Sequence, residues 1–418
     1  MSDQQKKYDL LITNGHVIDP ANGLNDKLDV AVANGKIALV ARDIPKAEAK
    51  AVIDIKGAYV TPGLIDIHSH VYPLSPAPNT LSAIESDSHM LRSGVTTTVD
   101  VGTVGWRHFL DFKESVIDTA QVRVLAMINI ASNGMVNMIS EQTPADMHPE
   151  ITAAVARQFP DLIVGVKAAH YWVGLPFDEI HTPWASVDNG LKAAEISGLP
   201  FMIDFCPNYN PPGRPYEDLI LKKLRPGDIH THVFAKQFPI VDNNGKVLPH
   251  MWKARERGVY FDVGHGAGSF WFRNGKPALD NGFPPDTLST DMHYSSVKPA
   301  GLDQLQLMSK FMNIGMPLEE VIMRSTSEPA KLIRRPELGS LSVGACADIA
   351  VLRVLKGDFG YVDCGNARIQ GDSKLDCMIT IREGVIAYDT YGLSMPDWTE
   401  APDDYWRMPY MPEPGRKA

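Results

Sequence analysis

Histidine, lysine and aspartate residues recur at the ends of short apolar runs in this chain. His68 and His70 follow Asp66 in PGLIDIHSH, and because side chains alternate along a strand, all three share one face. Two buried imidazoles are costly unless something coordinates or hydrogen-bonds them. The alternative is a pair of surface histidines on an edge strand, but the preceding Pro-Gly and apolar residues favour a buried metal site. Asp66 could then orient a ligand histidine through a hydrogen bond.

The same feature returns at several later positions. Lys167 closes the apolar run DLIVGVK, and a lysine there must be paired, neutral or modified, because its charged form resists burial. Similar strand-end positions are held by Asp204, His230, His232, His265 and Asp291. Any one of them alone is more often a satisfied polar group of the core. As a set, they indicate one site.

The segment that carries these residues, 61–335, alternates short apolar runs with longer runs of helical composition. The predicted strands are 63–69, 96–102, 122–130, 162–168, 200–206, 228–234, 259–264 and 286–291. This pattern predicts an α/β fold, a (β/α)₈ TIM barrel, whose chemistry sits at the carboxyl ends of the strands.

Both ends of the chain instead have the sequence pattern of short β-strands. Residues 1–60 and 336–395 contain short alternating runs with turn signals such as Asn34-Gly35, and we expect them to form one small β-sandwich domain. The remaining tail, 396–418, combines prolines and aromatic residues. It is either a surface extension or an arm that docks on a neighbouring subunit.

Composition excludes several functional classes. The 44% of hydrophobic and 22% of charged residues fit a folded protein, and the net charge of −10 argues against a nucleic-acid or anionic-lipid surface. The four scattered cysteines indicate neither a disulfide framework nor a cysteine zinc site. Without a signal peptide or a long apolar run, the sequence predicts a soluble cytoplasmic protein with a small-molecule substrate.

The motifs PGLIDIHSH, GVK, HTH, STD and SLSVGACADIAVL resemble those of the amidohydrolase superfamily, on its dihydroorotase, hydantoinase and D-aminoacylase side. The resemblance covers about residues 8–390. Within the superfamily, KLRPGDIHTHVF, FDVGHGAGSF and FPPDTLSTDMH are most similar to the bacterial amidohydrolase/deacetylase group. The resemblance implies hydrolysis of an amide or ester bond, most simply removal of an acyl group from a small molecule.

The resemblance also implies a metal centre with two divalent ions, most simply two Zn²⁺, bridged by carbamylated Lys167. The ligands that it implies are His68, His70, Lys167, His232 and Asp291. Metal-activated water would be the nucleophile, Asp291 would act as base and then as acid, and His265 would contact the substrate or the developing oxyanion. His265 could instead be a structural histidine of its loop. His170, Trp172 and His265 would line the substrate pocket, while His230 would support the ligands. Trp172 could instead simply pack a loop.

One position departs from the family pattern, because Asp204 stands where the family has a histidine at the end of strand five. Asp204 could be an oxygen ligand of the second metal, or it could leave that site weak or empty, or His170 or His230 could substitute. The first is favoured because aspartate also ligates zinc.

Two other functions stay open at this point. The first is hydrolysis of a cyclic amide such as a hydantoin, a dihydropyrimidine or an imide. The second is a non-catalytic scaffold derived from such an enzyme, which the retained histidines, lysine and aspartate disfavour. Oligomerisation with copies of the same chain is a family expectation.

Overall fold

Two β sheets organise the chain. The structure, a computed structural model, describes residues 6–73, 83–136, 141, 143–170, 178–182, 184–205, 221–236, 240–300 and 302–401. The strands are β1 Tyr8–Asp19, β2 Leu24–Ala33, β3 Lys36–Ala41, β4 Ala49–Asp54, β5 Tyr59–Pro62, β6 Leu64–Ser69, β7 Val95–Gly105, β8 Arg123–Asn129, β9 Ile163–His170, β10 Phe201–Phe205, β11 Ile229–His230, β12 Tyr260–Phe261, β13 Ile349–Val362, β14 Arg368–Arg382 and β15 Val385–Asp389.

Helices connect and cover these strands. They are α1 Ser86–Met90, α2 Phe109–Phe112, α3 Pro149–Gln158, α4 Ala185–Ser197, α5 Pro249–Glu256, α6 Phe272–Asp280, α7 Tyr294–Ala300, α8 Gln304–Asn313, α9 Leu318–Met323 and α10 Ser327–Leu332. Most of the helices between β6 and β12 contribute to the largest apolar core. Over the described part of the chain, no helix is both long enough and apolar enough to cross a membrane.

Strands from both chain ends form a single mixed sheet of eight strands, in the order β15-β14-β13-β5-β1-β2-β3, with β4 paired to β1. The two ends meet where β13 runs antiparallel to β5, with Val351 opposite Val60. Both valines are fully buried, and they belong to a separate apolar cluster. Hydrogen bonding therefore joins the strands of the expected sandwich into one continuous sheet. The domain limits given above stay predictions, and the tail beyond residue 401 lies outside the described residues.

The predicted turn at Asn34-Gly35 joins β2 to β3. Its two central residues have φ angles of +53° and +70°, as a two-residue hairpin with the right-handed twist of its strands requires. Glu383 and Gly384, between β14 and β15, have φ angles of +52° and +79°. A glutamate tolerates this conformation at some cost, and its backbone N–H donates to Asp348 at 2.9 Å.

The second sheet is parallel and contains β6 to β12 in chain order. Two of its strands are shorter than predicted, since β11 and β12 span two residues each where 228–234 and 259–264 were expected. The backbone explains the difference. His232 has a φ of +61° and Gly264 a φ of +45°, so the chain leaves the extended conformation just beyond each strand.

The predicted eighth strand, 286–291, is not a regular strand of this sheet. Its segment makes isolated parallel bridges on both sides, from Thr287 to Asp262 and from Met292 to Ser69. It therefore lies between the two edges of the curled seven-stranded sheet. The α/β class with a parallel sheet and a separate β sheet is confirmed, while a regular eight-stranded barrel stays a prediction.

A buried ion pair joins the two sheets. Arg123, at the start of β8, pairs with Asp348 just before β13 and also contacts Glu383 at 3.1 Å. The Asp348 side chain is 1% exposed, and Arg382 lies 3.5 Å from its other oxygen. The Arg123 pair therefore supplies much of the charge compensation for a carboxylate that water cannot reach.

We expect Arg123→Met to lower the free energy of unfolding by about 3 kcal/mol, because it removes a partner from a buried carboxylate. Urea denaturation followed by circular dichroism measures the loss. Lys276→Met is the control, because Lys276 pairs with Asp280 on an exposed helix face. This substitution should lower the free energy of unfolding by less than about 0.5 kcal/mol. Equal losses for the two variants would contradict the assigned role of Arg123.

Candidate metal centre

Three potential metal ligands converge where the parallel sheet ends. His68 lies on β6, His232 follows β11, and Asp291 ends the segment that bridges the two sheet edges. One ligand atom from each of the three lies within 4.8 Å of the others. Residues 59 to 223 positions apart are thus brought to one point by the order of the strands.

The ring of His68 is fixed through its Nδ1 atom. This nitrogen lies 2.9 Å from Thr231 Oγ1, and the Thr231 hydroxyl donates to Asp262 at 2.7 Å. Because that hydroxyl proton is already used, Thr231 accepts the hydrogen bond from His68 Nδ1–H. The Nε2 atom of His68 therefore carries the lone pair.

The other two histidines follow the same rule. His232 Nδ1 lies 2.7 Å from the carbonyl oxygen of Gly264, which can only accept, so this nitrogen is the donor. His70 Nδ1 lies 2.7 Å from Thr103 Oγ1. Each ring is held on its far side, as metal-binding histidines usually are.

The residues present fit a divalent metal. His68 Nε2 is buried and makes no hydrogen bond within the described residues, which would cost about 1–3 kcal/mol if nothing bound there. Burial lowers the pKa of His68 to about 4, so the ring is neutral at physiological pH. A neutral imidazole beside a carboxylate is a donor set that zinc accepts.

Two carboxylates each face two of the predicted ligands. Asp291 Oδ1 lies 3.1 Å from His70 Nε2 and 3.6 Å from His68 Nε2. Asp204 Oδ2 lies 2.8 Å from Lys167 Nζ and 3.5 Å from His232 Nε2. The candidate ligands thus form two groups of three, each around one carboxylate oxygen.

The charges in the two groups compensate one another. Burial alone would raise the pKa of Asp291, but its electrostatic interaction with the His68 ring and its hydrogen bond with His70 hold that pKa well below its usual range. Burial likewise opposes ionisation of Asp204, and the Lys167 ammonium holds its pKa low. Both carboxylates are therefore anionic in a region that water hardly reaches.

Asp66 does not contact the ring of His68 as predicted. Its carboxylate accepts from the His68 backbone N–H at 3.1 Å, from the Thr290 N–H at 3.1 Å and from the Thr290 hydroxyl at 2.5 Å. It ties β6 to the residue before Asp291, because it lies one side-chain repeat below the ring. The ring is oriented by Thr231 and Asp262 instead.

The other predicted supporting and pocket residues divide into two groups. His230 is fully buried and packs against Phe261, with 5.8 Å between ring centroids. His170 is the last residue of β9, but its side chain and all of Trp172 lie outside the described residues. Their substrate-binding roles stay predictions.

His265 has no ring nitrogen left for the predicted contact with a substrate. Its Nδ1 lies 2.8 Å from the Gly266 carbonyl oxygen, which accepts, and its Nε2 lies 2.6 Å from Lys310 Nζ, which donates. Burial and the charge of Lys310 hold the pKa of His265 well below its ordinary value. In this geometry the ring supports the site without reaching into it.

The sequence reasoning missed the residues that hold the ligands. Thr231 and Asp262 lie inside the quoted motifs KLRPGDIHTHVF and FDVGHGAGSF, but alternation places Thr231 on the face opposite His230 and His232 and therefore did not select it. Glu141 carries no such signal. It is buried, accepts from Asn129 Nδ2 at 2.8 Å, and has its pKa raised to about 8 by burial and by the charge of Asp204.

Comparisons with known proteins bear on the fold and the family of the chain. No protein-family model matches the chain. A crystal structure of an adenine deaminase superposes with a TM-score of 0.82 at 26% identity, covering 92% of this chain and 100% of that one. A dihydroorotase of Syntrophotalea carbinolica is 43% identical over 90 residues, 22% of this chain and 20% of its own. A deacetylase of Brucella anthropi is 30% identical over 383 residues, 87% of this chain and 88% of its own.

The chain belongs to the amidohydrolase superfamily. The resemblance drawn from the strand-end motifs is therefore confirmed, and so is the prediction of an enzyme of the amidohydrolase class. Within this amidohydrolase, the cluster of His68, His232 and Asp291 is the place where the structure offers a metal its ligands.

Buried Glu141 should make the metal-free amidohydrolase less stable as the pH rises. Its pKa is about 8 in the folded chain against an ordinary value of 4.5, so the folded state holds a proton that the unfolded state releases. The free energy of unfolding is therefore highest below about pH 4.5. It decreases towards pH 8, by at most about 1.4 kcal/mol per pH unit. We expect Glu141→Gln to flatten this dependence in urea titrations of chelator-treated protein. An unchanged slope would show that Glu141 does not carry the proton.

Proposed function

We propose that this amidohydrolase is a metal-dependent deacylase, which hydrolyses the amide or ester bond between an acyl group and a small molecule. The observation that carries the proposal is the buried Nε2 of His68, which has no hydrogen-bond partner in the part of the chain that the structure describes and lies beside His232 and Asp291. Support for the acyl substrate comes from the deacetylase of Brucella anthropi, which matches nearly the whole chain.

The two groups of ligands would hold two ions, most simply Zn²⁺. His68, His70 and Asp291 would bind the first, while Lys167, Asp204 and His232 would bind the second. When bound, the metals supply Lewis acids that polarise the scissile carbonyl and lower the pKa of water.

Lys167 would take part as a carbamate. Its side chain is fully buried, and an ammonium ion in that position would repel two dications. Reaction of the neutral amine with carbon dioxide forms an N–C bond and releases one proton, which leaves an anionic oxygen ligand in place of the cation. Asp204, now 2.8 Å from Lys167 Nζ, would then bind the second metal as an oxygen ligand.

Asp291 is the proposed proton carrier. Its Oδ1 lies 3.1 Å from His70 Nε2 and 3.6 Å from His68 Nε2. A carboxylate held ionised at this point can take a proton from the attacking water and return it to the leaving nitrogen.

The charges around the centre favour a substrate without strong negative charge. Asp204 adds an anion where the family has a neutral histidine. Arg107, which follows β7, donates from Nε to the Ser132 hydroxyl at 3.1 Å and lies 3.6 Å from Asp146. A carboxylate on the substrate would thus find little free positive charge among the described residues.

A second candidate is hydrolysis of a cyclic amide. It is supported by the 90-residue segment that is 43% identical to a dihydroorotase. That match covers 22% of the chain, whereas the deacetylase match covers 87%, so the open-chain acyl substrate is proposed first.

Turnover of a substrate panel tests the proposal. We expect zinc-loaded protein to release acetate from neutral N-acetyl and O-acetyl compounds faster than it opens hydantoin or dihydropyrimidine rings or deaminates adenine. Asp291→Asn should lower kcat by at least about 10²-fold, the usual contribution of a general base. Ring opening without any deacylation would reject the proposal in favour of the second candidate.

Metal content tests the assignment of Asp204. We expect Asp204→His, purified and reconstituted with zinc and bicarbonate, to hold the second ion more tightly, because an imidazole nitrogen suits zinc better than a carboxylate oxygen does. Zinc per chain after partial treatment with a chelator, measured by elemental analysis, should rise above the wild-type value. An unchanged zinc content would mean that Asp204 does not set the occupancy of the second site.

A further inference from the structure

A short turn, formed by residues 264–266, lies against the metal ligands. The carbonyl oxygen of Gly264 receives the hydrogen bond of His232 Nδ1 at 2.7 Å. The backbone N–H groups of His265 and Gly266 donate to Ser289 and Thr290, at 3.2 and 2.8 Å. The turn therefore joins the strand end that carries His232 to the segment that ends in Asp291.

The turn touches the ligands so closely that its position affects theirs. A Cβ atom on Gly264 would lie 2.7 Å from His232 Nδ1 and 3.0 Å from His68 Nδ1. On Gly266 it would lie 2.2 Å from Asp291 Oδ2. Both glycines also have positive φ angles, of +45° and +49°. A small movement of the turn would consequently displace both His232 and Asp291.

The side chain of His265, at the centre of the turn, packs into a buried cluster. Its ring stacks on Phe270, with 4.9 Å between centroids and 16° between planes. Its Nδ1–H donates back to the Gly266 carbonyl oxygen at 2.8 Å, and its Nε2 accepts from Lys310 Nζ at 2.6 Å. The ring is thus held on both edges and on one face.

Lys310 is an unusual group for this position. It lies on α8 with its side chain fully buried, and its Nζ also donates to the carbonyl oxygen of Val362 at 2.7 Å. Burial lowers its pKa to about 8. Its two hydrogen-bond partners, an imidazole nitrogen and a backbone oxygen, are both neutral, although lysines are almost never fully buried unless paired.

We propose that Lys310 is a positioning residue of the metal centre, which locks the His265 ring and thereby holds turn 264–266 in the place that sets His232 and Asp291. The proposal rests on the metal centre of the proposed function, but it concerns a residue that touches no ligand directly. Because Val362 ends β13, Lys310 also anchors the turn to the mixed sheet built from the two chain ends.

The test measures metal binding, separately from catalysis. Zinc-loaded wild type, Lys310→Met and His265→Gln are each mixed with a chromophoric chelator, and both the rate of zinc release and the affinity are recorded. Loss of a group that supports metal ligands usually weakens metal binding 10–100-fold, so we expect at least a tenfold loss for Lys310→Met. The double variant should lose no more than the worse single variant, because both changes break the same contact.

Asn313→Ala is the matched control. Asn313 lies on the same helix, one turn later, and binds the same β hairpin through Ser373 O at 2.8 Å and Asp372 N at 2.9 Å. The variant should loosen α8 from the hairpin and lower the melting temperature while keeping the zinc affinity of the wild type.

The measured zinc affinities separate the possibilities. Zinc affinity lost in Lys310→Met and His265→Gln but kept in Asn313→Ala supports the proposal. Equal affinity in wild type and Lys310→Met, or equal losses in Lys310→Met and Asn313→Ala, overturns it. If Lys310→Met does not fold, His265→Gln decides by the same comparison. Wild-type protein that binds no zinc would instead reject the metal centre itself.

Discussion

The metal centre depends on polar side chains that are removed from water and yet keep fixed partners. His70, His68 and His232 have their Nδ1 atoms held by Thr103 Oγ1, by Thr231 Oγ1 and by the Gly264 carbonyl oxygen respectively. An imidazole whose Nδ1 is hydrogen-bonded has only its Nε2 available to a metal. The hydrogen bonds therefore determine both the tautomer and the direction of the lone pair. The apolar core around the parallel sheet makes these bonds strong, since water does not compete for the same groups.

Charge balance is the second constraint, and it links the candidate ligands in pairs. The Asp291 carboxylate lies close to His68 and His70, and the Asp204 carboxylate lies close to Lys167 and His232. Glu141 stays protonated nearby, because a third carboxylate charge beside Asp204 would be costly in a dry site. The centre can therefore exchange its internal ion pairs for bound cations without placing an uncompensated charge in the core.

Local patterns predicted much of the fold and of the ligand set. A run such as PGLIDIHSH reveals both a strand and the face that His68 shares with Asp66, because alternation is a local property. The short strands β11 and β12 could not be predicted in this way, since the φ of His232 is set by contacts across the sheet. The burial of Lys310 could not be predicted for a related reason. In the sequence of its own helix it resembles a solvent-exposed lysine, and the packing of α8 against turn 264–266 and the end of β13 buries it.

The pairing of β5 with β13 has a consequence for biosynthesis. The two strands are separated by about 290 residues, and a ribosome adds about 5–20 residues per second. The nascent amino-terminal strands would thus wait roughly 15–60 s with one edge open before their partner is made. An unsatisfied strand edge attracts other chains, so newly made protein should depend on chaperones most strongly during that interval.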